Sequence, residues 1–179
     1  MAYTAVNKSS DNYKTVKFTG NGTSPRTISD VGFQPDWTIL KPRNLAYSWT
    51  TVDAIRTPTG GGTNSGTLLL NTTDAPEGNS NGNGAITAFT SNGFTMTTGT
   101  SDFDRVNGSY NYCSWNFKAN GAGSANSDGA TASTVSANTT AGFSIVKWTA
   151  NGSNADTVGH GLGAAPKIVL YKNIDQTGS

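Results

Sequence analysis

The feature that most constrains this chain is that it opens twice. Val16-Lys17-Phe18-Thr19 returns as Val146-Lys147-Trp148-Thr149, an offset of 130 residues, and Asn21-Gly22 returns as Asn151-Gly152. Pro35 returns as Pro166, an offset of 131, and with the same offset Trp37–Leu40 becomes Ile168–Tyr171 and Lys41 becomes Lys172. Solenoid units recur at about 20–50 residues, so a period this long is that of a whole domain. The expected organisation is an arm (1–12), a complete domain (13–119), a linker (120–142) and the opening part of a second copy (143–179). The last segment is too short to hold an independent core. It is expected either to continue beyond Ser179 or to complete a sheet on the first domain or on a neighbouring subunit.

The residue vocabulary points to strands. Glu occurs once, at Glu77, and Gln twice, while Gly occurs 22 times. Good helix formers are scarce, and Thr, Ser, Asn and Gly suit strands and tight turns. Strands are expected at 13–19, 26–29, 36–41, 45–51, 67–71, 85–90, 94–98 and 109–119. Gly20-Asn21-Gly22 and Ser91-Asn92-Gly93 act as turns. Phe33 is expected to plug the core from the loop before Pro35. In 109–119 the side bearing Cys113, Trp115 and Phe117 is expected to face the core, leaving Tyr110 and Tyr112 exposed. Between Asn120 and Gly142 the only large aliphatic residue is Val135, so a flexible or extended linker is expected. The fold class is therefore all-β: an antiparallel β-sandwich.

Charge and motifs exclude several function classes. A net charge of +1 with no basic block disfavours a phosphate-tracking nucleic-acid surface. No run of about 18 apolar residues is present for a membrane span. The N-terminal residues lack the pattern of a secretory signal. One cysteine, Cys113, rules out a disulfide within the chain, and with no histidine in the first domain it reads as a structural thiol rather than a nucleophile. His160 is the single histidine and reads as a turn residue. The paired carboxylates of a glycosidase, zinc-ligand spacing and a phosphate loop are not found. No catalytic residue and no cofactor are expected. Asp102 and Asp104, two apart, are the one candidate Ca²⁺ pair, ranked below a solvated turn with Arg105. Tyr47, Trp49, Tyr110 and Tyr112 are the candidate ligand or interface contacts, since aromatic rings stack on sugars and tyrosine is enriched at interfaces. Residues 57–66, 72–84 and 99–108 are the candidate binding loops.

Four stretches together carry a family resemblance. They are Gly32-Phe33-Gln34-Pro35-Asp36 with the strand after it, Ser91-Asn92-Gly93-Phe94-Thr95-Met96, Tyr112-Cys113-Ser114-Trp115-Asn116-Phe117-Lys118-Ala119, and Val158-Gly159-His160-Gly161-Leu162-Gly163-Ala164-Ala165-Pro166-Lys167. In combination the chain resembles the repeat domain of tail-fibre-like and other virion structural proteins of tailed phages that infect cyanobacteria and other marine bacteria. The resemblance covers 13–119 fully and 143–173 as an opening. Pro42, Cys113 and Asn116 depart from the family pattern. It implies a virion component made in the host cytoplasm, a fibre, appendage or capsid-decoration subunit. Its partners would be other virion proteins and further copies of itself, a trimer ahead of a dimer. A lectin-like jelly roll follows as an analogy of fold, which does not itself license sugar binding. The rival function is recognition of a host surface glycan, and behind it polysaccharide depolymerisation.

Overall fold

The computed structural model describes residues 6–57, 66–76, 82–100 and 105–175. A 3-10 turn, Ser9–Asp11, leads into the strands. These are β1 (Tyr13–Thr19), β2 (Arg26–Ile28), β3 (Trp37–Pro42), β4 (Thr50–Asp53), β5 (Leu68–Leu69), β6 (Ala85–Thr90), β7 (Gly93–Thr97), β8 (Asn111–Phe117), β9 (Ser124–Asn126), β10 (Ser133–Asn138) and β11 (Phe143–Trp148). They form a five-stranded sheet β1-β8-β3-β4-β5 and two three-stranded sheets, β2-β7-β6 and β11-β10-β9. Every strand pairing is antiparallel. The fold is thus all-β.

The core lies between the five-stranded sheet and β2-β7-β6. Val16, Leu40, Val52 and Tyr112 come from the first sheet, and Ile28, Ile86, Phe94 and Met96 from the second. Val31, Phe33 and Val106 close the gap from loops, so Phe33 is the plug that its place before Pro35 suggests. Period-two side-chain alternation produces this: β3 alternates half-buried and buried along all six residues, as a strand with a core on one side must.

The expected core face of β8 is reversed. Tyr112, Ser114 and Asn116 are fully buried, whereas Cys113, Trp115 and Phe117 are only half-buried. Hydrophobicity misleads here because the polar residues of β8 are satisfied internally. Asn116 donates from Nδ2 to Lys14 O at 2.9 Å and to Ser114 Oγ at 3.0 Å, and its Oδ1 accepts from Thr38 Oγ1 at 3.0 Å. The aromatic side of β8 meets a third layer, which gives it cover of another kind. The strand expected at 45–51 also shifts, and β4 runs from Thr50 to Asp53.

That third layer is the region expected as a linker. Residues 120–142 carry β9 and β10, and β10 pairs along its length with β11, Val135 opposite Val146. Phe143 stacks on Trp37 at 5.9 Å and on Phe117 at 5.2 Å between ring centroids. Asn138 Nδ2 donates to Asn12 Oδ1 at 2.9 Å and Asn120 N to Ser136 Oγ at 2.8 Å. These contacts hold β11-β10-β9 to the outer face of the five-stranded sheet.

The two openings share their turn chemistry. Asn21 Oδ1 accepts from Thr23 N at 3.1 Å and Asn151 Oδ1 from Ser153 N at 2.8 Å. Gly22 and Gly152 follow with φ of 66° and 79°, a conformation that glycine adopts without steric cost. The openings then diverge. Trp37–Leu40 belongs to β3, in the middle of a sheet, but its counterpart Ile168–Tyr171 forms no strand and is 71–81% exposed.

Candidate functional site

The outer face of the five-stranded sheet concentrates the distinctive side chains. Strand alternation puts Tyr13 of β1, Trp37 of β3 and Trp115 and Phe117 of β8 on this face, because the residues that alternate with them, Val16, Leu40 and Tyr112, Ser114 and Asn116, face the core. Tyr13 and Trp37 each lie 4.9 Å from Phe117, and Trp49 stacks on Trp115 at 5.2 Å. Such ring pairs add about 0.5–1.5 kcal/mol beyond their burial.

Next to this row an acid–base pair closes the end of β4. Arg56 donates from Nε to Asp53 Oδ2 at 2.5 Å and from its backbone N to Asp53 Oδ1 at 3.0 Å. The two side chains are 10% and 9% exposed. A buried pair of this kind gives little net stability, but losing one partner strands a charge. Arg56 Nη1 donates to Gly66 O, while Nη2 is buried with no acceptor among the described residues.

Trp37 of this row and the ion pair floor a cleft of about 520 Å³. Trp37, Asp53, Arg56 and Leu68 lie beneath it, residues 145–148 of β11 form one wall, and residues 170–173 form the other. Across its mouth Trp148 and Tyr171 come within 5.7 Å. The second wall is tied down by Lys172, whose Nζ donates to Thr72 O at 2.8 Å. The cleft thus offers apolar walls, exposed rings and two lysines.

Several expected site residues fall elsewhere. Tyr112 is 0% exposed and stacks on Phe18 at 5.2 Å, so it belongs to the core and cannot touch a ligand. Tyr110 packs against the same core and meets Tyr47 edge-on at 6.0 Å. Trp49 is 38% exposed and remains a surface contact. Asp102 and Asp104 lie outside the described residues, as do most of the candidate loop 57–66 and parts of 72–84 and 99–108. Among the described residues no group of three or more His, Cys, Asp or Glu side chains could hold a metal ion. No helix there is long and apolar enough to cross a membrane. His160 Nδ1 accepts from Leu162 N at 3.2 Å, the turn bond its surroundings suggest. Burial pushes the Cys113 thiol up, against a smaller opposing pull from Arg43 and Lys17, which lowers its thiolate fraction and hence its reactivity.

Sequence reasoning missed Asp53, Arg56 and Leu68 as cleft residues. The three-residue spacing of Asp53 and Arg56 in a turn is a signal for the pair, but nothing local says that the second opening folds back over it.

The family model described as a domain of unknown function (DUF7483) matches residues 8–179. No curated protein matches the chain, and no solved structure does.

Proposed function

We propose that this chain, which belongs to the DUF7483 family, is a non-enzymatic structural component of a tailed-phage virion. In this reading it is a fibre, appendage or capsid-decoration subunit that acts in assembly and adhesion. Its partners are other virion proteins and further copies of itself, with a trimer favoured for a fibre. The observation that carries the reading is the run Ile168–Tyr171, 71–81% exposed at the end of a duplicated opening. A contiguous apolar surface of this kind marks an interaction site, and a particle built from repeated subunits needs many modest contacts more than one tight one. Two further points support it: the motif resemblance to virion repeat domains, and the changes of charged residue between the copies, Arg26 to Asp156 and Asp30 to His160. No ionisable side chain at these turn positions is kept in both.

The test is to quantify the chain in density-purified particles of the phage whose genome encodes it, and to place it by immunogold labelling. Multiple copies on tail or capsid are expected. A chain found only in the unassembled lysate fraction would overturn the reading.

A second reading, recognition of a host surface glycan, is favoured by the stacked pair Trp49 and Trp115 on the outer face. Glycan-array binding that disappears in Trp49→Ala, with unfolding unchanged, would establish it.

A further inference from the structure

The internal repeat says what the cleft is for. In the first opening β8 runs between β1 and β3. Trp115 faces Thr15 on one side and Ile39 on the other, Ser114 faces Val16 and Leu40, Cys113 faces Lys17 and Lys41, and Tyr112 faces Phe18 and Pro42. Shifted by 130 and 131 residues, the β1 and β3 members of those four rows become residues 145–148 and 170–173. These are the two walls of the cleft. The second opening therefore sets out both neighbours of a β8-type strand, with no strand between them among the described residues. β11 is the outermost strand of its sheet, so one of its edges is unpaired there.

The backbone follows the same logic. Gly20 N donates to Tyr110 O at 2.8 Å, so even-numbered residues of β1 bond to β8, and their counterparts are Ser144, Val146 and Trp148. Arg43 N donates to Asn111 O at 2.6 Å, so odd-numbered residues of β3 do so, and their counterparts are Ile168, Leu170 and Lys172. A row of unpaired backbone groups beside exposed apolar side chains is a template for strand addition.

We propose that residues 144–148 and 168–173 are an acceptor for one further β-strand of β8 chemistry. The first opening specifies that strand: three aromatic rings set among small and amide side chains over Asn111–Phe117, with no charge. Charge narrows it further. Lys147 and Lys172 both line the cleft, in the places of Lys17 and Lys41. The position matching Cys113 should therefore be neutral or acidic. The inference does not depend on the virion reading, since strand acceptance would serve any assembly.

The test adds synthetic peptides of residues 109–119 to the full chain and follows backbone hydrogen exchange. All peptides carry Cys113→Ser or another change at that position, which avoids disulfides. The parent peptide is expected to bind saturably and to slow exchange in both 144–148 and 168–173. Cys113→Lys in the peptide is expected to weaken binding by about threefold or more relative to Cys113→Asp, as like charges facing across strands do. Leu170→Pro in the protein removes a backbone donor facing the cleft and is expected to weaken binding about tenfold. Leu170 is 75% exposed, so the change leaves the sandwich folded. Equal binding of a scrambled peptide, or protection of neither segment, would overturn the proposal. Concentration-dependent self-association that protects both segments without peptide would also overturn it, by filling the acceptor with a second copy rather than a strand of β8 chemistry.

Discussion

Tyr112 decides which way β8 faces. Its ring is fully buried and stacked on Phe18, so Tyr112→Ala should open a core cavity. The expected cost is about 3–5 kcal/mol, the range for large aromatic truncations, read as a fall in the urea midpoint. Tyr110→Ala, at the half-buried edge of the same core, should cost clearly less. Equal effects would restore the sequence expectation that the two tyrosines share one environment. That expectation failed because it weighed Cys113, Trp115 and Phe117 as apolar without knowing that Phe143 of a third layer stacks on Phe117 and Trp49 on Trp115. The buried Asn116 and Ser114 gave no warning, since a satisfied polar side chain and a solvated one read alike in sequence. Asp36 offers a second test. Its carboxylate accepts from Ala119 N at 2.7 Å, yet desolvation outweighs this and other favourable contacts and raises its pKa above the ordinary 3.8. The folded chain then holds that proton more tightly than the unfolded one. The associated stability is complete below the unfolded value and is lost as pH rises through the folded one. Asp36→Asn keeps an oxygen acceptor but cannot ionise, so its stability relative to the parent should improve from pH 3 to pH 7 in urea titrations. Parallel curves would contradict the shift.

At the scale of elements, the turn between β1 and β2 is fastened by one distant residue. Asn107 is buried; its Nδ2 donates to Thr23 O at 2.7 Å, its Oδ1 accepts from Arg26 Nη1 at 2.9 Å, and its backbone O accepts from Gly22 N at 2.9 Å. Asn107→Ala would leave Thr23 O and Arg26 short of partners, at an expected cost of about 1–3 kcal/mol, measured by chemical unfolding. The turn itself was legible from Gly20-Asn21-Gly22, but its clasp lies too far along the chain to be read locally. The layer β9-β10-β11 was half legible. β11 shows as a copy of β1, whereas β9 and β10 are built from Ser, Ala, Asn, Thr and a single Val135, with too little apolar contrast to announce a strand. Its anchor is Phe143 between Trp37 and Phe117. Phe143→Ala should speed hydrogen exchange in β9–β11 while leaving β1, β3 and β8 unchanged. Slowed or unaltered exchange in the third layer would show that another contact holds it.

On the scale of the whole molecule, the chain joins a closed sandwich to a second opening that presents its strand-forming surface outward. Both halves were visible in the repeat. What the repeat alone could not say is that the second opening lies across the outer face of the first domain, with Lys172 bonded to Thr72 and a cleft between its two walls. That placement depends on contacts more than 100 residues apart, such as Trp37 with Phe143, which no local pattern encodes. Hydrogen exchange of the free chain, compared between β3 (Trp37–Pro42) and its counterpart 168–173, tests this picture most directly. Strand amides at the centre of a stable sheet should be slowed by about a thousandfold or more, while those of 168–173 should exchange at close to the rate of an unstructured peptide. Comparable protection in the two segments would mean that the second opening is already paired, and would contradict the account.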